Sequence, residues 1–188
     1  MADNKVHYDL EDVYVAPLTG TPAEPAYGEY KKLDGAISMD LAAQGDVVKL
    51  RADGIDYYVS YSNNGYNGNL NLALVPDWFK QEYLGETMST KDKVLVENAS
   101  AEPTPFALSF AFKGDKAKRR HVLYNCVSGR PNLAGNNKEN QKEPDTESLN
   151  LSASPLADGR TKASTTAETP ESVVTGWNTA VWLADTTT

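Results

Sequence analysis

The sequence predicts a mainly β fold, an antiparallel β-sandwich or barrel with one short flanking α-helix. Apolar and polar residues alternate in several short segments, as where Leu70, Leu72 and Leu74 are separated by Asn71 and Ala73. Turn residues such as Asp53-Gly54 separate these segments, and positive φ angles in such pairs favour hairpins. Many short strands with intervening turns are typical of sandwiches and barrels.

The strand candidates share this alternation or a high content of β-forming residues. They are, in chain order, 6–16, 37–41, 47–52, 55–62, 69–74, 94–97, 106–113, 120–127, 149–153 and 160–166. Within 57–74, the sequence Asn63-Asn64-Gly65 followed by Asn67-Gly68 predicts a hairpin turn between two strands. Phe106, Leu108, Phe110 and Phe112 are expected to point to one side of their strand.

One segment, 76–85, has the pattern of a short helix. Pro76 suits a first helical position, Asp77 favours the helix N-terminus, and Gly85 suits the stop. Phe79, Tyr83 and Leu84 fall on one face, which we expect to dock on the sheet. A second helix within 170–182 has weaker support, because Val173, Val174 and Gly176 are poor helix formers.

Length and composition predict a single domain spanning 1–188. Polar, weakly patterned arms extend it at the N-terminus, at 17–30, at 132–145 and at the C-terminus. The net charge of −8 argues against phosphate binding, which depends on Lys and Arg. The single cysteine, Cys126, excludes an internal disulfide and is expected to be buried. No signal-peptide pattern or membrane-spanning segment is seen, so synthesis in a cytoplasm is expected.

The sequence shows no catalytic constellation. The two histidines, His7 and His121, lie in predicted strands far from any G-x-S-x-G motif, and no H-x-x-x-H or C-x-x-C pair is present. No P-loop or G-x-G-x-x-G sequence occurs. We therefore expect a protein that is not an enzyme and that has no catalytic residues, metal site or cofactor.

Several blocks of the chain resemble the major tail proteins, or tail tube proteins, of long flexible-tailed bacteriophages of Gram-positive hosts. The most specific blocks are NNGYNGNLNLALVPDWF and RRHVLYNC. The matching pieces lie in the same order and cover most of the chain: 5–19, 35–46, 52–79, 84–85, 105–131 and 145–159.

The resemblance implies a structural protein of the virion tail that forms stacked hexameric rings. Strands of all copies would complete one inner barrel, and DNA would pass through the tube into the host without sticking. The implied partners are further copies and the tail terminator, distal tail and tape-measure proteins. An acidic bore would repel phosphates, and barrel closure would remove exposed strand edges.

The predicted site residues follow from this reading. Candidates for the lumen or the junction between rings lie at strand ends and turns: Asp40, Asp46, Asp53 and Asp56. Candidates for contacts between subunits are Asn63, Asn64, Tyr66 and Tyr27, and the arms are expected to reach neighbouring copies. The alternative is a β-sandwich module that binds carbohydrate or a host surface, for which an exposed, coplanar aromatic patch would be diagnostic.

Overall fold

A computed structural model describes residues 8–114, 119–135 and 144–184. The strands are β1 (Tyr8–Pro17), β2 (Lys31–Lys32), β3 (Ala36–Gln44), β4 (Val47–Ala52), β5 (Ile55–Tyr61), β6 (Gly65–Leu72), β7 (Thr87–Met88), β8 (Leu95–Val96), β9 (Phe106–Lys113), β10 (Arg120–Ser128), β11 (Glu147–Ser154) and β12 (Lys162–Ser164). The helices are α1 (Asp77–Tyr83) and α2 (Glu171–Gly176). All strand pairs are antiparallel, so the mainly β prediction is confirmed.

The main sheet has the order β2-β1-β9-β10-β11-β6-β3, with β12 also pairing with β10. Its two ends pack over one another, because β1, β9 and β10 share one apolar core with β6 and β11. Central members of this core are Val15, Leu72, Phe106 and Leu149, each at most 1% exposed. The folded-over sheet is the predicted sandwich.

Helix α1 closes one end of this core. Phe79 and Tyr83 are fully buried, and their rings lie 5.7 and 4.9 Å from that of Phe106. The predicted docking face is therefore confirmed. Pro76 is the N-cap, and Gly85 has a φ of +74°, a conformation that suits glycine after a helix.

A second apolar layer covers the outer face of β9 and β10. Trp177 beyond α2 is 3% exposed and packs with Ala107, Val122 and Tyr124. Its indole Nε1 donates to Ser109 Oγ at 3.1 Å, and its ring stacks on Trp182 at 6.0 Å. Strand β9 is thus buried on both faces, whereas alternation alone indicated only one apolar face. The weakly supported second helix is present as α2 and helps form this layer.

The predicted hairpin between 57 and 74 is wrong. Strand β5 pairs with β4 through the Asp53-Gly54 turn, and β6 pairs with β3 and β11. Asn63 and Asn64 therefore form a bend between two strands of different sheets. Gly68 lies inside β6, where a Cβ would come within 1.9 Å of the Asp40 carbonyl oxygen. Glycine at this position therefore allows the backbones of β6 and β3 to approach each other closely.

The arm predicted at 17–30 packs on its own chain at several points. Thr19 N–H donates to the Ala26 carbonyl at 2.8 Å, and Ala157 N–H donates to the Pro22 carbonyl at 3.0 Å. The N-terminal arm before residue 8, residues 136–143 of the internal arm and the C-terminus after residue 184 lie outside the described residues. Whether any arm reaches a neighbouring copy stays a prediction.

Candidate assembly surface

Strands β4 and β5 form a two-stranded ribbon, Val47–Tyr61, that projects from the sandwich. The sheet order places β4 and β5 in a sheet of their own, although they follow β3 and precede β6 directly. Two backbone bonds join the ribbon to the body: Ser62 N–H donates to the Asp46 carbonyl at 3.0 Å, and Asn64 N–H donates to the Gln44 carbonyl at 2.9 Å. The chain therefore leaves the main sheet after β3, forms the two-stranded ribbon, and returns to the main sheet as β6.

Both faces of the ribbon carry exposed apolar side chains. One face carries Val47, Val59 and Tyr61 together with Lys49, and Tyr61 is 76% exposed. Tyr57, which is 71% exposed, is the extra residue of a bulge in β5. The opposite face carries Val48, Leu50 and Tyr58, which are 55–58% exposed. Directly opposed residues of an antiparallel pair share a face, and Val47 faces Tyr61 while Leu50 faces Tyr58.

The exposed side chains of the ribbon present about 700 Å² of largely apolar surface, from the typical areas of aromatic and aliphatic side chains. This area is divided between two opposite faces, and each face alone falls within the roughly 300–600 Å² of the largest apolar patch on a typical monomer. A stable protein interface buries about 800 Å² on each partner, which is close to what the two faces supply together. An isolated two-stranded hairpin is also marginally stable in water. These magnitudes mark the ribbon as a surface for association.

Three of the four charged side chains of the ribbon form one cluster. Lys49 Nζ lies 2.8 Å from Asp56 Oδ2, and Arg51 Nε lies 3.4 Å from Asp56 Oδ1. Asp53 stands at the tip with a φ of +52°, in the turn that closes the ribbon. The ribbon therefore presents apolar side chains and phenol hydroxyls beside an exposed charge cluster that is largely balanced within the ribbon.

Strand β3 is an open edge of the main sheet. The sheet path ends at β3, and within the described residues no strand pairs with its outer side. Its sequence, AISMDLAAQ, contains neither lysine nor proline, the residues that commonly protect exposed edges. A bulge between Ala36 and Ser38 leaves Ile37 exposed, while Met39 and Leu41 pack against the core. The edge is available for pairing with another strand.

The outer face of β3, β6 and β11 is polar and almost uncharged; we call it the amide face. Cross-strand rows place Asp40, Asn69 and Asn150 side by side, with a serine–asparagine–serine row and an alanine–asparagine–serine row flanking them. Asn71 Nδ2 donates to Ser38 Oγ at 2.9 Å. The full set is Ser38, Asp40, Ala42, Asn67, Asn69, Asn71, Ser148, Asn150 and Ser152. Unlike the outer face of β9 and β10, this face carries no apolar layer within the described chain.

An apolar recess opens between β3 and β6 on one side and β9 and β10 on the other; we call it the slot. Its volume is about 310 Å³. The apolar lining includes Met39, Leu41, Phe110 and Phe112. Asp40, Tyr66, His121 and Lys162 add polar groups.

The structure places most of the predicted site residues on the ribbon, at its base or on the adjoining strands β3 and β6. Asp46 lies at the base of the ribbon, and Asp53 and Asp56 lie on it. Asp40 lies on the amide face. That these carboxylates line a lumen or join rings stays a prediction.

The predicted subunit-contact residues divide into two groups. Asn63 and Asn64 are exposed at the base of the ribbon, where Asn63 Oδ1 accepts a hydrogen bond from Gly65 N–H at 3.1 Å. Tyr66 lines the slot, with Lys162 Nζ 5.2 Å from its ring centroid. Tyr27 lies apart from them: its hydroxyl donates to the Tyr124 carbonyl at 2.9 Å, and burial raises the pKa of that hydroxyl. Contacts of all four with other copies stay predictions.

The second apolar face of the ribbon was missed at the sequence level. Val47-Val48 and Tyr57-Tyr58-Val59 break the alternation of a half-buried strand, because consecutive residues point to opposite faces. That break was the available signal for a ribbon that is apolar on both sides.

Cys126 belongs to the core, as expected. Its side chain is fully buried, and burial raises the pKa of the thiol to about 12. A neutral, inaccessible thiol has no nucleophilic role.

Among the residues described, no group of three or more His, Cys, Asp or Glu side chains is arranged to hold a metal ion. No helix in the same part of the chain has the length and hydropathy to cross a membrane.

The fold of this chain has structural likenesses among solved proteins. No family model matches the chain, and no curated protein matches it. The fold is similar to the tube-terminating cap of the anti-feeding prophage, solved by cryo-electron microscopy, with a TM-score of 0.47 and 12% identity. That likeness covers 88% of this chain and 96% of the cap chain. Similarity at this level carries no functional argument, so the proposal below is based on the residues and their geometry.

Proposed function

We propose that this chain is a structural protein of a bacteriophage-type tail, in which copies assemble into stacked rings around a bore. The observation that carries the proposal is the ribbon, whose two apolar faces are exposed together. One partner lying against one face leaves the other face in water. Coverage by further copies of the same chain removes both faces from solvent.

The open edge of β3 supports the same function. An edge strand of nine residues without lysine or proline offers a row of backbone donors and acceptors, which beyond the bulge at Ile37 are open to a further strand. Pairing of this edge with a strand of the next copy satisfies them and continues the sheet around a ring. Contacts between different surfaces of identical copies close into rings when the rotation between copies divides a full turn. Six copies in each ring is the number that the sequence resemblance implies.

The amide face is the part of the surface best suited to a bore. Asparagine and serine side chains stay hydrated and carry no positive charge, so they give a polyanion no counterion-release gain. Asp40 adds one carboxylate for each copy, and the whole chain carries −8. DNA passing along such a wall would be hydrated and weakly repelled. The predicted role as a conduit for DNA ejection from a virion tail is therefore part of the proposal.

The proposal assigns no catalysis and no cofactor to this chain. The terminator, distal tail and tape-measure partners enter it only through the resemblance of the sequence. One observation favours a second candidate function, a carbohydrate-binding module: Tyr57 and Tyr61 are both largely exposed on the ribbon. Exposed tyrosines suit stacking on sugar rings as well as anchoring in an interface.

Concentration series of the purified protein test these alternatives. Sedimentation velocity measures the mass of the species, and negative-stain microscopy shows their shape. Rings or rods above a threshold concentration are expected. Particles that stay monomeric at every concentration and bind glycans on an array would overturn the tail proposal and favour the module.

A further inference from the structure

The chain carries both an apolar projection and an apolar recess. The projection is the ribbon with its exposed side chains of Tyr57 and Tyr61, and the recess is the slot. In the described structure both tyrosines are exposed to solvent, so the ribbon does not fill the slot of its own chain. A projection and a recess on one molecule are what a head-to-tail contact between identical copies requires.

Aromatic side chains line the slot and suit a tyrosine guest. The ring of Phe110 stacks on that of His121 with centroids 5.2 Å apart, and Phe112 meets His121 edge-on at 5.8 Å. Aromatic rings pack favourably at centroid distances of about 4.5–7 Å. Met39 and Leu41 form the opposite wall.

Lys162 supplies a polar group in the slot that complements a phenol hydroxyl, because its ammonium can donate a hydrogen bond to the phenol oxygen. Tyrosine combines an apolar ring with such a polar tip, which makes it a frequent interface anchor.

We propose that exposed tyrosine side chains of the ribbon of one copy seat in the slot of the next copy. This contact rests on the proposed function, since it supplies one of the joints that self-assembly needs. Both the ribbon and the slot belong to this chain, which identifies the occupant as a second copy. The internal pairing of Lys49 and Arg51 with Asp56 further disfavours a partner recruited by charge.

Two complementary variants test the contact. The first, Tyr57→Ser/Tyr61→Ser, removes the projection and keeps the slot. The second, Leu41→Gln, places an amide in the slot and keeps the projection, with Met39→Gln as its substitute where Leu41→Gln fails to fold. Leu74→Ser is the control, because Leu74 is an exposed apolar residue outside the ribbon. Circular dichroism and thermal melting establish that each variant is folded.

Assembly is then measured by sedimentation velocity, for each variant alone and for equimolar mixtures. Each variant alone is expected to need at least a tenfold higher concentration to assemble, whereas Leu74→Ser assembles like the natural chain. In the mixture of the two variants, one intact projection meets one intact slot. A heterodimer that neither variant forms alone is therefore expected, and it should not grow further through this contact.

The remaining outcomes contradict the proposal. Folded variants that assemble at the natural threshold concentration, or that form no heterodimer when mixed, would overturn the contact while leaving the proposed function intact. A natural chain that stays monomeric throughout would overturn the proposed function and this contact together.

Discussion

Deletion of the ribbon should prevent assembly without lowering the stability of the fold, so this variant tests the two properties separately. The ribbon joins the body at Asp46 and Ser62, where Ser62 N–H donates to the Asp46 carbonyl at 3.0 Å and Asp46 N–H donates to Ser62 Oγ at 2.8 Å. A two-residue Asn-Gly turn can replace Val47–Tyr61 across this closely spaced pair. The resulting variant keeps β3, β6 and the whole core.

The magnitude of the effect on stability follows from burial and loop length. No ribbon side chain is a member of either apolar core, so the deletion removes no core packing. Shortening the connection from Asp46 to Ser62 lowers the entropy cost of closing it by about 2 kcal/mol. The free energy of unfolding should therefore stay the same or rise by up to about 2 kcal/mol, whereas assembly loses about 700 Å² of apolar contact surface per copy.

Urea denaturation followed by tryptophan fluorescence measures stability, and light scattering with sedimentation measures assembly. The expected result is a folded monomer at concentrations where the natural chain forms rods. A loss of more than about 3 kcal/mol of unfolding free energy would show that the ribbon belongs to the folding core. Rods at the natural threshold concentration would refute its role in assembly.

Three further predictions concern the rest of the molecule. Trp177→Ala should lower the free energy of unfolding by about 3–5 kcal/mol in urea denaturation, since it empties the second core layer and leaves Ser109 without its indole partner. Asn69→Lys/Asn150→Lys should still form rods but should retain short duplex DNA at low salt in a co-sedimentation assay, with retention falling steeply as salt rises. The free energy of unfolding of the natural chain should fall above about pH 9. Burial raises the pKa of the Cys126 thiol to about 12 in the folded chain, so at pH values between the usual thiol pKa and about 12 the thiol ionises mainly in the unfolded chain. Cys126→Ala should flatten this pH dependence in denaturation curves.

Matched controls sharpen these three tests. Trp177→Phe keeps most of the buried ring and should cost clearly less than Trp177→Ala; an equal loss would point to the Ser109 hydrogen bond as the main contribution. Ser172→Lys adds a charge on α2, away from the amide face, and should leave DNA retention unchanged. Equal retention by both lysine variants would contradict the assignment of the amide face. An unchanged pH profile in Cys126→Ala would contradict the burial effect.

The sequence determined much of the fold because its local patterns agree with the final packing. The alternation of Phe106, Leu108 and Phe110 correctly puts these side chains in the main core, and Asp53-Gly54 closes a hairpin where the turn chemistry predicts one. Helix α1 begins one residue later than predicted, because Pro76 is the N-cap and not the first helical residue, and it ends just before Gly85 as expected. In each case, the side chains involved are neighbours along the chain.

Pairing between distant segments was harder to predict. The asparagines and glycines at 63–68 have the composition of a hairpin turn. In the structure, however, β6 pairs with β3 and β11, and β5 pairs with β4 instead of β6. The slot depends on β3, β9 and β12 meeting in space, and no local pattern in the sequence signals it. The burial of Ala107 and Tyr124 depends on Trp177, more than fifty residues away along the chain.

Cryo-electron microscopy of the assembled natural protein, at side-chain resolution, tests the central claim most directly. We expect hollow rods in which β3 of each copy pairs with a strand of its neighbour, the ribbon lies between copies, and the row of Asp40, Asn69 and Asn150 faces the bore. Isolated monomers, or rods in which that row lies on the outer wall and the β3 edge is covered by its own chain, would contradict it.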